Sequence, residues 1–182
     1  YVYTTVPNYV RIVNIADPYA PQMLESGAYL PVNGGTTYVN DVVVSDGYAY
    51  LAYGVSGDAD SALIIVKVAD PYGPVITQRL PIIDPERLFL AGRYIYVLST
   101  SGDVLKIFDI TDPANVTEVG SVGLDEGDFT ASALAISGDY MYIGIKGTNR
   151  MAVYKLNGTE TTAMVANSLE AGRLNIDGDV MV

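Results

Sequence analysis

The sequence predicts an all-β protein of the β-propeller kind, with four consecutive four-stranded antiparallel blades, and two interleaved repeats are the reason. The first repeat is a turn followed by an aromatic alternation. It reads Asp46-Gly47-Tyr48-Ala49-Tyr50-Leu51, Gly92-Arg93-Tyr94-Ile95-Tyr96-Val97, Gly138-Asp139-Tyr140-Met141-Tyr142-Ile143 and a reduced Gly178-Asp179-Val180-Met181-Val182. Tyr1-Val2-Tyr3 is the same strand again, so anchors at 1, 48, 94, 140 and 180 are spaced by 47, 46, 46 and 40 residues. The second repeat is an apolar strand running into Asp-Pro: Val10 to Pro18, Leu63 to Pro71 and Leu105 to Pro113, with Met151 to Gly158 keeping the strand but losing the Asp-Pro. Composition agrees, because 15 of the 18 aromatics are Tyr, which joins Val, Ile and Thr on a pleated, half-buried surface.

Each unit resolves into four strands. The segment before the anchor comes first, in Tyr38 to Ser45, Arg87 to Ala91, Ser132 to Ser137 and Arg173 to Asp177. On a blade it would be innermost, with the Tyr-x-Tyr strand second and the apolar strand third. At the end of the third strand the Asp carboxylate can cap the following N–H groups while Pro sets φ at the corner, so the ladder stops at a fixed place. The outer strand follows in Gln22 to Leu30, Val75 to Ile82, Thr117 to Leu124 and Thr162 to Leu169. No helix is expected, since Gly, Pro or Asp-Gly interrupts every stretch before a 3.6-residue period accumulates. Residues 1–182 therefore read as one propeller region with units of approximately 1–47, 48–93, 94–139 and 140–179, and 180–182 starting a fifth copy. That is 17 strands, and the surplus one is expected if the four blades are cut from a larger propeller, the rival reading being a compact four-bladed ring with a frayed end.

The absence of Cys and His among the 182 residues removes zinc fingers, Ser-His-Asp and Cys-His nucleophiles and imidazole metal sites. The formal charge of −11, with ten basic residues scattered singly, argues against nucleic acid. No apolar run approaches the roughly 20 residues of a membrane-spanning helix.

The segments Ile-Val-Asn-Ile-Ala-Asp-Pro, Ile-Val-Lys-Val-Ala-Asp-Pro and Ile-Phe-Asp-Ile-Thr-Asp-Pro, each followed some 30 residues later by Gly-x-Tyr-x-Tyr, resemble LVIVD repeats. The resemblance implies propeller blades of secreted and surface proteins of bacteria and archaea, and it brings no catalytic residue. The family's strand ends in Asp, which only Asp109 matches, with Asn14, Lys67 and Lys155 elsewhere.

Chemistry is left to carboxylates. Loops expected on one face gather acids, and Asp58, Asp60, Asp125, Glu126 and Asp128 are the candidate calcium ligands. They match no EF-hand, and solvated Asp-Gly turns have the same composition. The scaffold requires no cofactor, and calcium is the one that these acids would suit. A facing pair for glycoside hydrolysis could come from Asp41 and Asp177 on inner strands, although a polar channel lining explains them equally. The pairs Tyr48 with Tyr50, Tyr94 with Tyr96 and Tyr140 with Tyr142 each share a strand face and are expected to pack between adjacent blades. Outer strands present open edges, and Arg79 is the kind of charge that opposes association through them. Two sequons, Asn115-Val116-Thr117 and Asn157-Gly158-Thr159, follow third strands and suit N-glycosylation.

The function expected is a non-enzymatic extracellular structural or interaction module, in a cell surface, surface layer or filament, whose partners are proteins or further copies of itself. The alternative is a metal-assisted small-ligand or carbohydrate binder or hydrolase using the acidic loops at the channel mouth.

Overall fold

The computed structural model describes residues 1–6, 9–24, 37–55, 60–99, 104–123, 130–138, 140–146, 150–155 and 163–167. They form 15 strands and no helix. The chain divides into two compact units, Tyr1–Leu124 and Asp125–Val182.

The first unit holds three sheets. Sheet I consists of β1 (Val2–Val6), β2 (Tyr9–Asn14) and the short β3 (Gln22–Met23), in that order. Sheet II is β4 (Thr37–Ser45), β5 (Tyr48–Val55), β6 (Ala62–Lys67) and β7 (Val75–Pro81). Sheet III is β8 (Pro85–Ala91), β9 (Tyr94–Ser99), β10 (Val104–Asp109) and β11 (Thr117–Gly123). The second unit contains sheet IV, with β12 (Thr130–Ser137), β13 (Tyr140–Lys146), β14 (Arg150–Lys155) and β15 (Ala163–Asn167). Every pairing is antiparallel between chain neighbours, so sheets II, III and IV each follow the predicted four-strand order. The expected strands at 173–177 and 180–182, and most of that at 22–30, lie outside the described residues.

The turns explain why the strands begin and end where they do. Ser45 pairs with Tyr48 across Asp46-Gly47, whose φ values of 49° and 78° are those of a type I′ hairpin, matched to the twist of the strands it joins. Ala91 pairs with Tyr94 across Gly92-Arg93, where Gly92 supplies the positive φ of 57° at the first corner. The Asp-Pro turns behave as the sequence predicts in all three copies. Asp17, Asp70 and Asp112 each accept the N–H two residues on at their carboxylate (2.9, 3.0 and 3.0 Å) and the N–H three residues on at their carbonyl (3.2, 3.2 and 2.9 Å).

The first strand of each four-stranded sheet carries a β-bulge in the same place, at Val39/Asp41, Pro85/Arg87 and Ala131/Ala133. β7 and β11 carry a second, leaving Thr77 and Val119 unpaired opposite Ile65/Val66 and Ile107/Phe108. A bulge bends and twists its strand locally.

Both faces of sheet II are buried. On one, Ala49, Leu51, Tyr53, Ile64 and Val66 form a cluster against which Tyr3 of sheet I packs. On the other, Tyr50, Ala52, Leu63 and Ile65 meet Leu88, Ile95, Val97 and Phe108 of sheet III. The period-2 alternation of β5 and β6 thus serves two interfaces, and for that reason these strands read as continuous apolar runs.

Candidate functional site

The polar groups of the first unit converge along the seam where β4 meets β8. With the bulge at Val39/Asp41, three polar residues of β4, namely Tyr38, Asn40 and Asp41, all reach the neighbouring sheet or the residue that leads into it. Tyr38 Oη donates to Asp84 Oδ1 at 3.1 Å, and Asn40 Nδ2 donates to the Pro85 carbonyl at 2.9 Å. Asp41 accepts the Val42 N–H at Oδ1 (2.8 Å) and the Leu88 N–H at Oδ2 (2.9 Å), and Arg87 Nη1 reaches the Asn40 carbonyl at 3.5 Å. Asp84 adopts a positive φ of 46° just before Pro85. Gly54 lies opposite Tyr38 in the β4–β5 ladder, and a Cβ at Gly54 would overlap the Tyr38 ring.

This geometry gives Asp41 a definite task. Both of its oxygens receive backbone N–H groups, one from its own strand and one from the next sheet, so it fastens sheet II to sheet III. Its suggested partner in hydrolysis, Asp177, lies outside the described residues, as do the calcium candidates Asp58, Asp125, Glu126 and Asp128. Asp60 is described and half-buried, and its main-chain carbonyl accepts Nη2 of Arg79. Among the described residues no three acids gather in a group of metal-binding size.

Arg79 departs from the edge-guarding role expected of it. It turns inward, with its guanidinium 5.0 Å from the centroid of the Tyr53 ring and bonded to Asp60.

The tyrosine pairs divide by environment. Tyr50 is fully buried between sheets II and III with Tyr48 beside it, as expected of inter-blade packing. Its hydroxyl finds no partner among the described residues, and burial, with smaller contributions from Asp46 and Tyr48, pushes its pKa up to about 12. Burial also raises Tyr96 and Tyr3. Tyr140 is exposed instead. Arg93 stacks 4.9 Å from the Tyr94 centroid and reaches Asp109 at 3.4 Å. Asp109 is held below the usual aspartate range, first by the Thr111 hydroxyl (2.6 Å), then by the Thr111 N–H (2.8 Å), with Arg93 adding less.

Sequence reasoning missed one connection entirely. The Gln78 carboxamide on β7 pairs with the backbone of Val116, ahead of β11. Glutamine on an outer strand gives no signal of this, because the partner is a backbone group on another sheet. Of the two sequons, Asn115 is exposed and Asn157 lies outside the described residues.

Several solved structures share this fold. A protein from Lactobacillus plantarum superposes with a TM-score of 0.69 at 15% identity, covering 96% of this chain and 66% of that one. The periplasmic gluconolactonase of Pseudomonas aeruginosa gives 0.65 at 15% identity, covering 94% and 65%. The N-terminal domain of Nup159 gives 0.55 at 7% identity, covering 93% and 42%. At such identities the likeness is one of fold, and this chain spans just under two thirds of the first two proteins. No curated protein matches the sequence. The LVIVD repeat matches residues 85–123, the whole of sheet III, and residues 130–150, from β12 to the start of β14.

Proposed function

The chain belongs with the LVIVD-repeat proteins, and from that premise we propose that it is a non-enzymatic extracellular module, a rigid structural or interaction component of a cell surface, surface layer or filament. The observation that carries this reading is the use made of its polar side chains. Asp41, Asn40, Tyr38 and Gln78 join one sheet to the next, and Asp17, Asp70 and Asp112 close turns. Groups that elsewhere would bind or transform a ligand are committed here to the frame.

The four sheets are read as successive blades of one propeller. The recurring strand order, the matched hairpins and the opening-strand bulges at positions 46 residues apart support this. A rigid frame is suited to presenting contacts, and two equivalent Asp-Pro turns hold Tyr19 and Tyr72 at 97% and 65% exposure. Tyrosine offers a large amphipathic contact for little conformational entropy, which suits protein partners or further copies of the chain.

Cell fractionation with immunogold labelling, together with electron microscopy of protein isolated under native conditions, tests the reading. Label on the outer surface and ordered assemblies are expected. A protein confined inside the cell and monomeric at every concentration would overturn it.

A further inference from the structure

We propose that Asn115 carries an N-linked glycan. The motif alone, Asn115-Val116-Thr117, is common, and the geometry around it is what singles it out. Its turn is closed by another residue: Asp112 caps the N–H of Ala114 with its carboxylate and that of Asn115 with its carbonyl, and the Asn115 carboxamide makes no hydrogen bond among the described residues. The other two described asparagines of the first unit are engaged, since Asn14 Oδ1 caps the Ala16 N–H at 2.9 Å and Asn40 Nδ2 bonds the Pro85 carbonyl at 2.9 Å.

The middle residue of the sequon is anchored. Val116 is buried, and Gln78 grips its N–H and its carbonyl. Asn115 and Thr117, flanking this fixed point, are both exposed, so the two groups that a glycosyltransferase must engage are presented to solvent. In the transfer, Nδ2 of Asn115 attacks the anomeric carbon of an oligosaccharide carried on a lipid phosphate. A C–N bond forms, the C–O bond to phosphate breaks, the lipid phosphate leaves, and the nitrogen gives up one proton. The sugar would stand beside the first residues of β11, an edge strand whose only charged side chain, Glu118, is already paired with Lys106 at 2.8 Å.

The inference rests on the extracellular placement proposed above. Peptide mapping by mass spectrometry of protein isolated from the cells that make it, with Asn115→Gln, Thr117→Ala and Thr117→Ser variants expressed in the same cells, tests it. Glycan on the peptide containing Asn115 is expected, lost in N115Q and T117A and retained in T117S. Bare Asn115 on protein recovered from the cell surface would overturn the glycan while leaving the proposed placement intact. Protein recovered only from the cell interior would overturn both.

Discussion

The side chain of Gln78 closes a two-bond ring on the backbone of Val116, donating from Nε2 to the carbonyl and accepting the N–H at Oε1, each at 2.9 Å. A carboxamide has the same donor and acceptor spacing as a peptide group, so Gln78 acts as one more residue of strand for a segment that has left its ladder. Removing it strands two backbone groups beside a buried side chain, where an unsatisfied group costs about 1–3 kcal/mol. Gln78→Ala should therefore lower unfolding stability by about that amount, read as a reduced urea midpoint at unchanged m-value.

Asp41 provides a second test of the same seam. Hydrogen bonds to a charged group contribute roughly 1.5–3 kcal/mol, so Asp41→Ala should destabilise by about that much. Asp41→Asn keeps one carbonyl oxygen for the Leu88 or Val42 N–H and should lose less. Equal losses in both variants, measured by urea titration, would contradict the two-oxygen role.

Tyr50 predicts a response to alkali. The unfolded chain releases this phenolic proton near the ordinary value of 10, whereas the folded chain holds it to about 12. The folded state therefore binds more protons in that window, and stability that is complete below pH 10 falls as pH rises from 10 to 12, by on the order of 2 kcal/mol. Tyr50→Phe should flatten this loss in denaturation curves taken across the window. Because the hydroxyl lacks a partner, the variant should be no less stable at neutral pH, with a gain of up to about 1 kcal/mol.

Asp109 predicts the opposite pH response. Its lowered pKa means that its contribution is present above the ordinary aspartate range and is lost as pH falls through the depressed folded value. Thr111→Val, which removes the hydroxyl bond, should raise its titration midpoint more than Arg93→Ala does, as followed by carboxyl NMR shifts. A larger effect from Arg93 would make the ion pair, rather than the hydroxyl bond, the main cause of the depression.

Calcium discriminates the module from the metal-assisted alternative. A ligand specific to the folded state must stabilise it, so calorimetric scans with calcium and with chelator should give the same melting temperature for a scaffold. A rise with calcium would favour the metal-assisted alternative, with Asp58, Asp60, Asp125, Glu126 and Asp128 as its candidate ligands.

The repeats made most of this architecture legible, because hairpin and Asp-Pro turns are local chemistry: Gly47, Gly92 and the carboxylates of Asp17, Asp70 and Asp112 act on residues within a few positions. The bulges stayed hidden, since a bulge is a property of two strands in register and no single strand announces it. The seam was legible in part. Asp41 stood out as a polar residue on an opening strand, but its acceptor role depends on Leu88, 47 residues away. Arg79 misled for a related reason, as its place on an outer strand suggested solvent while its length let it fold back over Tyr53.

The placing of the fasteners has a mechanical consequence. Asp41 and Asn40 sit on β4 and Gln78 on β7, the opposite margins of sheet II, three strand spacings or about 15 Å apart. Two plates pinned along one margin can rock about it, whereas plates pinned along both resist bending and twisting alike. Sheets II and III, pinned at both margins over the buried layer between them, should thus move as one body, and severing the Gln78 pin would loosen the outer margin alone.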